Sequence, residues 1–305
     1  MLIEVKYSNS VKLIEGKISS GFIKWSIYCN SPHYKNVEII ENEPLAEFRV
    51  EGDEKNTFLY FKLPKMLKND EIFFSVVLLF NTKNLRVPLI DFSFKEYPLS
   101  IIGKYCHSSK YWNIHNPKIK EIVNNLKNKT GDNVKLYLKE AFNFVNNYIK
   151  FKKRMNERIG IEKILENKIG DCDEFSDLFI TLLRAAKIPS IRSVGILASE
   201  NNTKVPNYNN KINNHNLYIS KDIKSNTNFN EFHAWSEVFI PHYNTFVPFD
   251  PTLKLFSGIS EKHILRIRMR YSDNPSFLFI KCKGTQNIKI NSLKNDLSYL
   301  KILEE

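Results

Sequence analysis

Nucleophilic acyl transfer can be run by three side chains: a thiol, an imidazole that takes its proton, and a carboxylate that holds the imidazole in the right tautomer. The 305-residue sequence offers one arrangement of them. In IGDCDEFSDLFITLLRAAKIPSIR, Cys172 follows a Gly170-Asp171 turn at the front of an amphipathic helix. Asp171 is an N-cap residue and Glu174 stands three positions later, a capping box that makes Cys172 the first helical residue. A sulfur there meets the unpaired N–H groups of the first turn and the positive end of the helix dipole, surroundings suited to a nucleophilic thiolate. The neighbouring acids Asp171, Asp173 and Glu174 work against it.

The base must come from seven histidines, His33, His107, His115, His215, His233, His242 and His263. His33 lies in a strand-rich region, His215 in an Asn-rich stretch and His242 in a turn, and each reads as a surface residue. His233 opens the alternating run HAWSEVFI, which reads as a half-buried strand. If PHYNT forms the turn, with Ile240 roughly opposite Thr245, then His233 falls near Thr252 and Asp250 is a diagonal cross-strand neighbour. A register slip of one residue would turn Asp250 to the other face.

These candidates need elements to position them. Residues 1–97 carry short β-rich runs such as FIKWSIYC, TFLYFKL and IFFSVVLLF between SPHYKN, EGDEKN and LKND turns, the pattern of an antiparallel β domain resembling a sandwich. From about residue 116 the apolar period becomes helical. Ile119, Ile122, Val123 and Leu126 share one face, and a second helix runs from Val134 to Ile149 after the KTGDN turn. On the helix that begins at Cys172, the expected buried stripe is Phe175, Leu178, Phe179, Leu182, Leu183 and Ala186, with Asp177, Thr181 and Arg184 off it. SIRSVGILA reads as a strand, and residues 200–231 as a long Asn-rich loop.

Composition narrows the class. The formal charge of +12 is spread among interspersed acids, so a solvated basic surface is expected and nucleic acid is not expected as the partner. No apolar run is long enough to span a bilayer and the N-terminus lacks a continuous apolar h-region, which points to a cytoplasmic location. Cys29, Cys106, Cys172 and Cys282 form no C-x-x-C pair, so no zinc site is indicated, and the other three cysteines read as structural. No metal or other cofactor is expected.

GDCDEFSDLFITLLRAAKIPSIRSVG resembles the nucleophile segment of transglutaminase-like proteins, where a G-x-C turn opens a helix ending in R-A-x-x-I-P-x-R. HAWSEVFIPHYNTFVPFDPT resembles that superfamily's H-A-W-x-E-V and F-D-P-T strands, in the same order and spacing. EAFNFVNNYIKF and SGISEKHILRIRMRYSD are similar to flanking segments of bacterial and archaeal members, extending the likeness over about residues 98–270. The resemblance implies Cys172 as nucleophile, His233 as general base and acid, and Asp250 as the orienting carboxylate. It implies a papain-like α+β core, the Cys helix packed on an antiparallel sheet, after an N-terminal β domain. The expected layout is a β domain at 1–97, a catalytic domain at 98–285 and a C-terminal tail at 286–305.

The implied chemistry is acyl transfer through a thioester on Cys172, ending most often in hydrolysis of a peptide, isopeptide or other amide bond. A protein-crosslinking transferase is the alternative, although no calcium-loop signature is present. A non-catalytic interaction module on the same scaffold is the other. The implied partner is a protein or peptide substrate, while oligomeric state is left open. Trp235 is a candidate for the substrate-binding wall, and Trp235 and Phe249 could line an acyl pocket or pack in the core. Arg184 and Arg192 are expected to tie helix to sheet, with a substrate carboxylate as a second use. Glu237 shares a face with His233 and Trp235, as a partner of the site or as an exposed residue.

Overall fold

The computed structural model describes residues 2–29, 34–51, 56–153, 158–197, 221–223, 232–260, 263–270, 278–285, 287–292 and 296–304. Two antiparallel sheets form in the first third of the chain, from β1 (Leu2–Glu15), β2 (Ile18–Cys29), β3 (Tyr34–Glu43), β4 (Glu47–Glu51), β5 (Asn56–Leu63) and β6 (Glu71–Thr82). Alternation decides which side chains face inward. On β2, Ile23, Trp25 and Ile27 are buried, while Phe22 on the other side of the ribbon is exposed. Trp25, Phe61 and Phe74 meet in tilted and edge-to-face contacts with centroids 5.1–6.3 Å apart. Such aromatic clusters add roughly 0.5–1.5 kcal/mol per pair beyond area burial.

The connecting segments are β7 (Leu85–Arg86) and α1 (Leu99–Tyr105), followed by α2 (Pro117–Thr130), α3 (Val134–Tyr148), β8 (Lys150–Phe151), α4 (Ile161–Asn167), β9 (Ile169–Gly170) and α5 (Cys172–Ala185). Helix α2 begins where Asn116 accepts from the N–H groups of Lys118 and Ile119, with Pro117 at the first position. Helix α3 is capped in the same way by Asn133. Both match the expected helices; α4 was not expected, its periodicity being only seven residues long.

The chain then enters β10 (Ser190–Leu197), β11 (Lys221–Ile223), β12 (Phe232–Ile240), β13 (Thr245–Phe249), β14 (Gly258–Ile259) and β15 (His263–Arg270). A four-stranded antiparallel sheet in the order β13-β12-β10-β15 packs on α5, whose other sides meet α2, α3 and α4. Ser176 donates to the Ala234 carbonyl at 3.1 Å, and the small Ala234 and Ser236 allow that close approach. On the far side of the helix, Phe142 meets Phe179 edge to face at 5.7 Å and the Tyr137 hydroxyl donates to the Leu182 carbonyl. The architecture is the α+β one expected, a helix laid on an antiparallel sheet beside a strand-rich N-terminal region.

Two expectations need correction. The segment expected as a tail carries β17 (Lys289–Ser292) and β18 (Asp296–Glu304), and both pair with β1; β16 (Leu278–Gly284) just before it pairs with β2. The N-terminal sandwich is thus finished by the C-terminal residues, because β1 and β2 would otherwise be open edges with unpaired backbone groups. The 200–231 stretch, expected as one loop, contributes β11 to the sandwich sheet through β18; the rest of that expectation lies outside the described residues. Among the described residues, no helix is long and apolar enough to cross a membrane.

Candidate active site

Helix α5 starts as its sequence demands. The Asp171 side chain accepts from the Asp173 N–H at 3.1 Å and the Glu174 carboxylate accepts from the Asp171 N–H at 2.9 Å, both halves of the capping box. Gly170 is required for close approach: a Cβ there would lie 2.3 Å from Glu174 Cβ. The turn therefore fits under the glutamate, and the half-buried Cys172 is delivered at the helix tip.

The imidazole arrives from β12. That strand pairs with β13 in the expected register, Ile240 opposite Thr245 and Ser236 opposite Phe249. Asp250 then leaves the ladder and exchanges both backbone hydrogen bonds with Leu255 at 2.9 Å. One carboxylate oxygen, Oδ1, accepts the Leu253 N–H at 3.1 Å, and Oδ2 lies 2.7 Å from His233 Nε2. Asp250 is fully buried and His233 only 5% exposed. With Nε2 committed to the acid, Nδ1 is left for the Cys172 sulfur, which also hydrogen-bonds the ring. Burial alone would lower the His233 pKa, but the charge and hydrogen bond of Asp250, joined by Cys172, push it up to about 10. The three residues singled out in the sequence are thus brought together.

Two of the acids beside Cys172, Asp173 and Glu174, are offset by their surroundings. Burial works to raise the Asp173 pKa, yet the Arg192 and Arg158 guanidiniums hold its carboxyl below the usual carboxylate range. Burial pushes Glu174 up to about 7, so much of its charge is absent at neutral pH. Burial also pushes the Cys106 thiol up to about 12.

Trp235 does not offer an open wall. It is 1% exposed, its ring stacks on His233 at 6.2 Å and 25°, and its Nε1 donates to Glu237 Oε1 at 3.0 Å. The reading of Trp235 as a substrate contact gives way to one in which the indole backs the imidazole. Phe249 is fully buried against Phe179 and Phe256 in the core. Arg184 has no exposed surface, donating to the Ser190 carbonyl through Nε and Nη2 and to the His107 carbonyl through Nη1, so it ties helix to sheet. Arg192 does the same through Asp173. His242 sits on a turn beside Glu96, as a surface residue should.

A further set of polar residues escapes the sequence. Asp177, expected off the buried stripe, is completely buried and accepts Arg158 Nε at 2.9 Å, Arg158 Nη2 at 2.5 Å and Trp112 Nε1 at 2.8 Å. The Arg158 guanidinium also lies 3.9 Å from the Tyr111 ring centroid. Thr181 and Arg184 are buried as well, because α5 is enclosed on all sides and a single apolar stripe cannot describe it. Only the pairing of an uncapped Arg with an acid 19 residues away could have pointed to this cluster, and periodicity carries no such information.

With this geometry in view, residues 119–251 match the sequence model of the transglutaminase-like superfamily, a span running from α2 to the residue after Asp250. That stretch of the chain, from α2 to the hairpin carrying His233 and Asp250, is transglutaminase-like in sequence. No curated protein matches the chain in sequence. Among solved structures, a candidate cysteine protease from Cytophaga hutchinsonii is similar over 98% of this chain and 96% of its own, at 16% identity and a TM-score of 0.58. At that identity the likeness concerns the fold, and its coverage includes the sandwich. The periplasmic domain of TgpA from Pseudomonas aeruginosa aligns over 82% of this chain and 91% of its own, at 11% identity and a TM-score of 0.40. A candidate protease from Parabacteroides distasonis aligns over 84% of this chain and 47% of its own, at 13% identity and a TM-score of 0.30.

Proposed function

We propose that the protein is a cysteine-dependent acyl-transfer enzyme, hydrolysing an amide bond in a protein or peptide substrate, with Cys172, His233 and Asp250 as its catalytic triad. One observation carries this reading: a buried imidazole bonded at 2.7 Å to a buried carboxylate and also hydrogen-bonded to the side chain of a helix-tip cysteine. That is the arrangement triad chemistry needs, a nucleophile beside a base that is itself held by an acid.

In the forward step the Cys172 thiolate bonds to the carbonyl carbon and the carbonyl oxygen becomes an oxyanion. Asp171 takes the Asp173 N–H, while the Cys172 N–H at the helix start is available to that oxyanion. Collapse breaks the C–N bond, His233 gives its proton to the departing amine, and a thioester remains. Water then attacks the thioester, its proton passes to His233, and the C–S bond breaks to restore the thiolate. An amine in place of water would make the product a new amide. The Cytophaga protein's class agrees with this reading, but the site and not the likeness supplies the argument. A cytoplasmic setting, which keeps the thiol reduced, is part of the same proposal.

The test joins labelling to turnover. Iodoacetamide at limiting concentration is expected to modify Cys172 ahead of Cys282, and His233→Ala to slow that modification at least tenfold. A peptide and isopeptide panel, read by mass spectrometry with and without a donor amine, is expected to yield hydrolysed products that vanish in Cys172→Ala. Equal labelling of Cys172 and Cys282, unaffected by His233→Ala, would sink the proposal. Products carrying the donor amine in place of water would convert it to a transferase.

A further inference from the structure

Behind His233 runs a chain of buried contacts that the triad does not use. On β12, His233, Trp235 and Glu237 occupy alternate positions and so share one face of the strand. The Trp235 indole lies nearly parallel to the imidazole, 25° between planes. Its only polar hydrogen, on Nε1, goes to Glu237 Oε1 at 3.0 Å, and the same oxygen accepts the Ser193 hydroxyl from β10 at 3.1 Å. Glu237 is 1% exposed, Trp235 1% and Ser193 not at all.

A buried carboxylate is costly to keep, and an apolar residue would fill the same space without that cost. For a sheet whose only task was packing, the acid would be a poor choice. Its placement makes sense for orientation. The bond to Glu237 removes the freedom of the indole to rock about its side-chain torsions, and the indole is the flat wall against which the imidazole rests. A carboxyl oxygen accepting from Nε1–H also pushes electron density into the ring, and an electron-rich ring face attracts a cation. Both effects favour the His233 ring when it is protonated and aimed at Cys172, the state that Asp250 also favours.

We infer that Glu237 is a positioning residue for the proposed acyl-transfer reaction, acting on His233 through Trp235. The inference rests on the triad reading and deepens it: alongside Asp250 at the ring edge, the chain supplies a second carboxylate that works through the ring face.

The experiment uses the full-length protein and reads three quantities for each variant: the melting temperature, the Cys172 iodoacetamide rate per folded molecule, and the titration midpoint of the His233 ring by NMR. Glu237→Ala is expected to slow labelling three- to tenfold and to move the His233 midpoint downward. Glu237→Gln keeps an oxygen acceptor for Nε1–H and is expected to recover most of the labelling rate while recovering less of the midpoint. Glu237→Ala that lowers the melting temperature but leaves both other readouts at the parental values overturns the inference, since that is what a purely structural acid would do. Should Glu237→Ala not fold, Trp235→Phe takes its place, since it keeps a stacking ring and removes the donor. It is expected to slow labelling by a similar factor, with no further slowing when Glu237→Gln is added; parental labelling in Trp235→Phe overturns the inference. Loss of the triad reading shows separately, as a parent protein whose Cys172 labelling ignores His233→Ala.

Discussion

The sandwich and the α5 core fill their interiors with different chemistry. Among the described residues, the buried polar groups of the sandwich are neutral, such as Asn9, Ser26, Asn56 and Thr57, around the aromatic cluster of Trp25, Phe61 and Phe74. Around α5 the buried set includes Glu174, Asp177, Arg184, Arg192, Glu237 and the His233–Asp250 pair. The first interior is held by apolar volume. The second is held by giving each charge a partner, because an unpaired buried ion costs far more than an unfilled methylene. The sandwich keeps its ionisable cluster of Lys24, Glu51 and Tyr60 partly exposed, where burial and Glu51 push the Tyr60 hydroxyl up to about 12, whereas the α5 core encloses its own.

The sharpest break of this contrast is a matched pair of truncations. Asp177→Ala strands the Arg158 guanidinium and the Trp112 N–H, and Phe74→Ala leaves a cavity; each is expected to cost about 3–5 kcal/mol in denaturant unfolding. Only Asp177→Ala should also slow Cys172 labelling per folded molecule, by several-fold, since Arg158 helps neutralise Asp173 next to the nucleophile. Equal labelling in both variants would mean that the two interiors differ in composition but not in consequence.

Asp250→Asn tests the charge that holds His233. Turnover is expected to fall by about 10²–10⁴, the usual worth of a positioned acid–base group, and the His233 titration midpoint to drop from about 10. The sign of the stability effect follows from the raised pKa. The protonated ring contributes fully below its ordinary 6.5 and loses that contribution as pH rises through about 10. Asp250→Asn should therefore flatten the alkaline decline of the melting temperature; an unchanged decline would assign it to another group.

The smallest expected effect concerns Glu174. Its pKa is raised from 4.5 to about 7, so the folded state holds the proton more tightly and stability falls as pH rises across that window. Glu174→Gln keeps the cap acceptor and removes the titration. It should gain on the parent by on the order of 1 kcal/mol between pH 4.5 and 7.5. Melting curves at the two pH values check it, and a gain independent of pH would show that burial of the charge is not the cause.

Local signals made part of this site legible. The capping box at Asp171 and Glu174 and the turn that pairs Ile240 with Thr245 depend on residues within a few positions of one another, and both match the structure; HAWSEVFI is a strand as expected, but it is buried on both faces from His233 to Ile240 where its alternation reads as half-buried. The enclosed helix did not show itself, because its Asp177, Thr181 and Arg184 look like an exposed polar face until their partners are known. Those partners, Trp112 and Arg158 for Asp177 and the His107 and Ser190 carbonyls for Arg184, lie 6 to 77 residues away in sequence. The role of Trp235 was likewise ambiguous, since a large aromatic on a strand serves a pocket or a core equally well until its neighbours are fixed.

The sequence by itself determined the helix tip that carries Cys172, the hairpin that carries His233 and Asp250, and the superfamily to which they point. Tertiary structure alone decided that the last strands of the chain close the N-terminal sandwich, that Asp173 is paired with Arg192 and Arg158 while burial favours the protonated form of Glu174, and that Glu237 stands behind Trp235. The division has a physical cause. Caps, turns and strand alternation are set by short-range backbone geometry, whereas the ionisation of a buried group is set by charges and dielectric that only the folded chain brings near it.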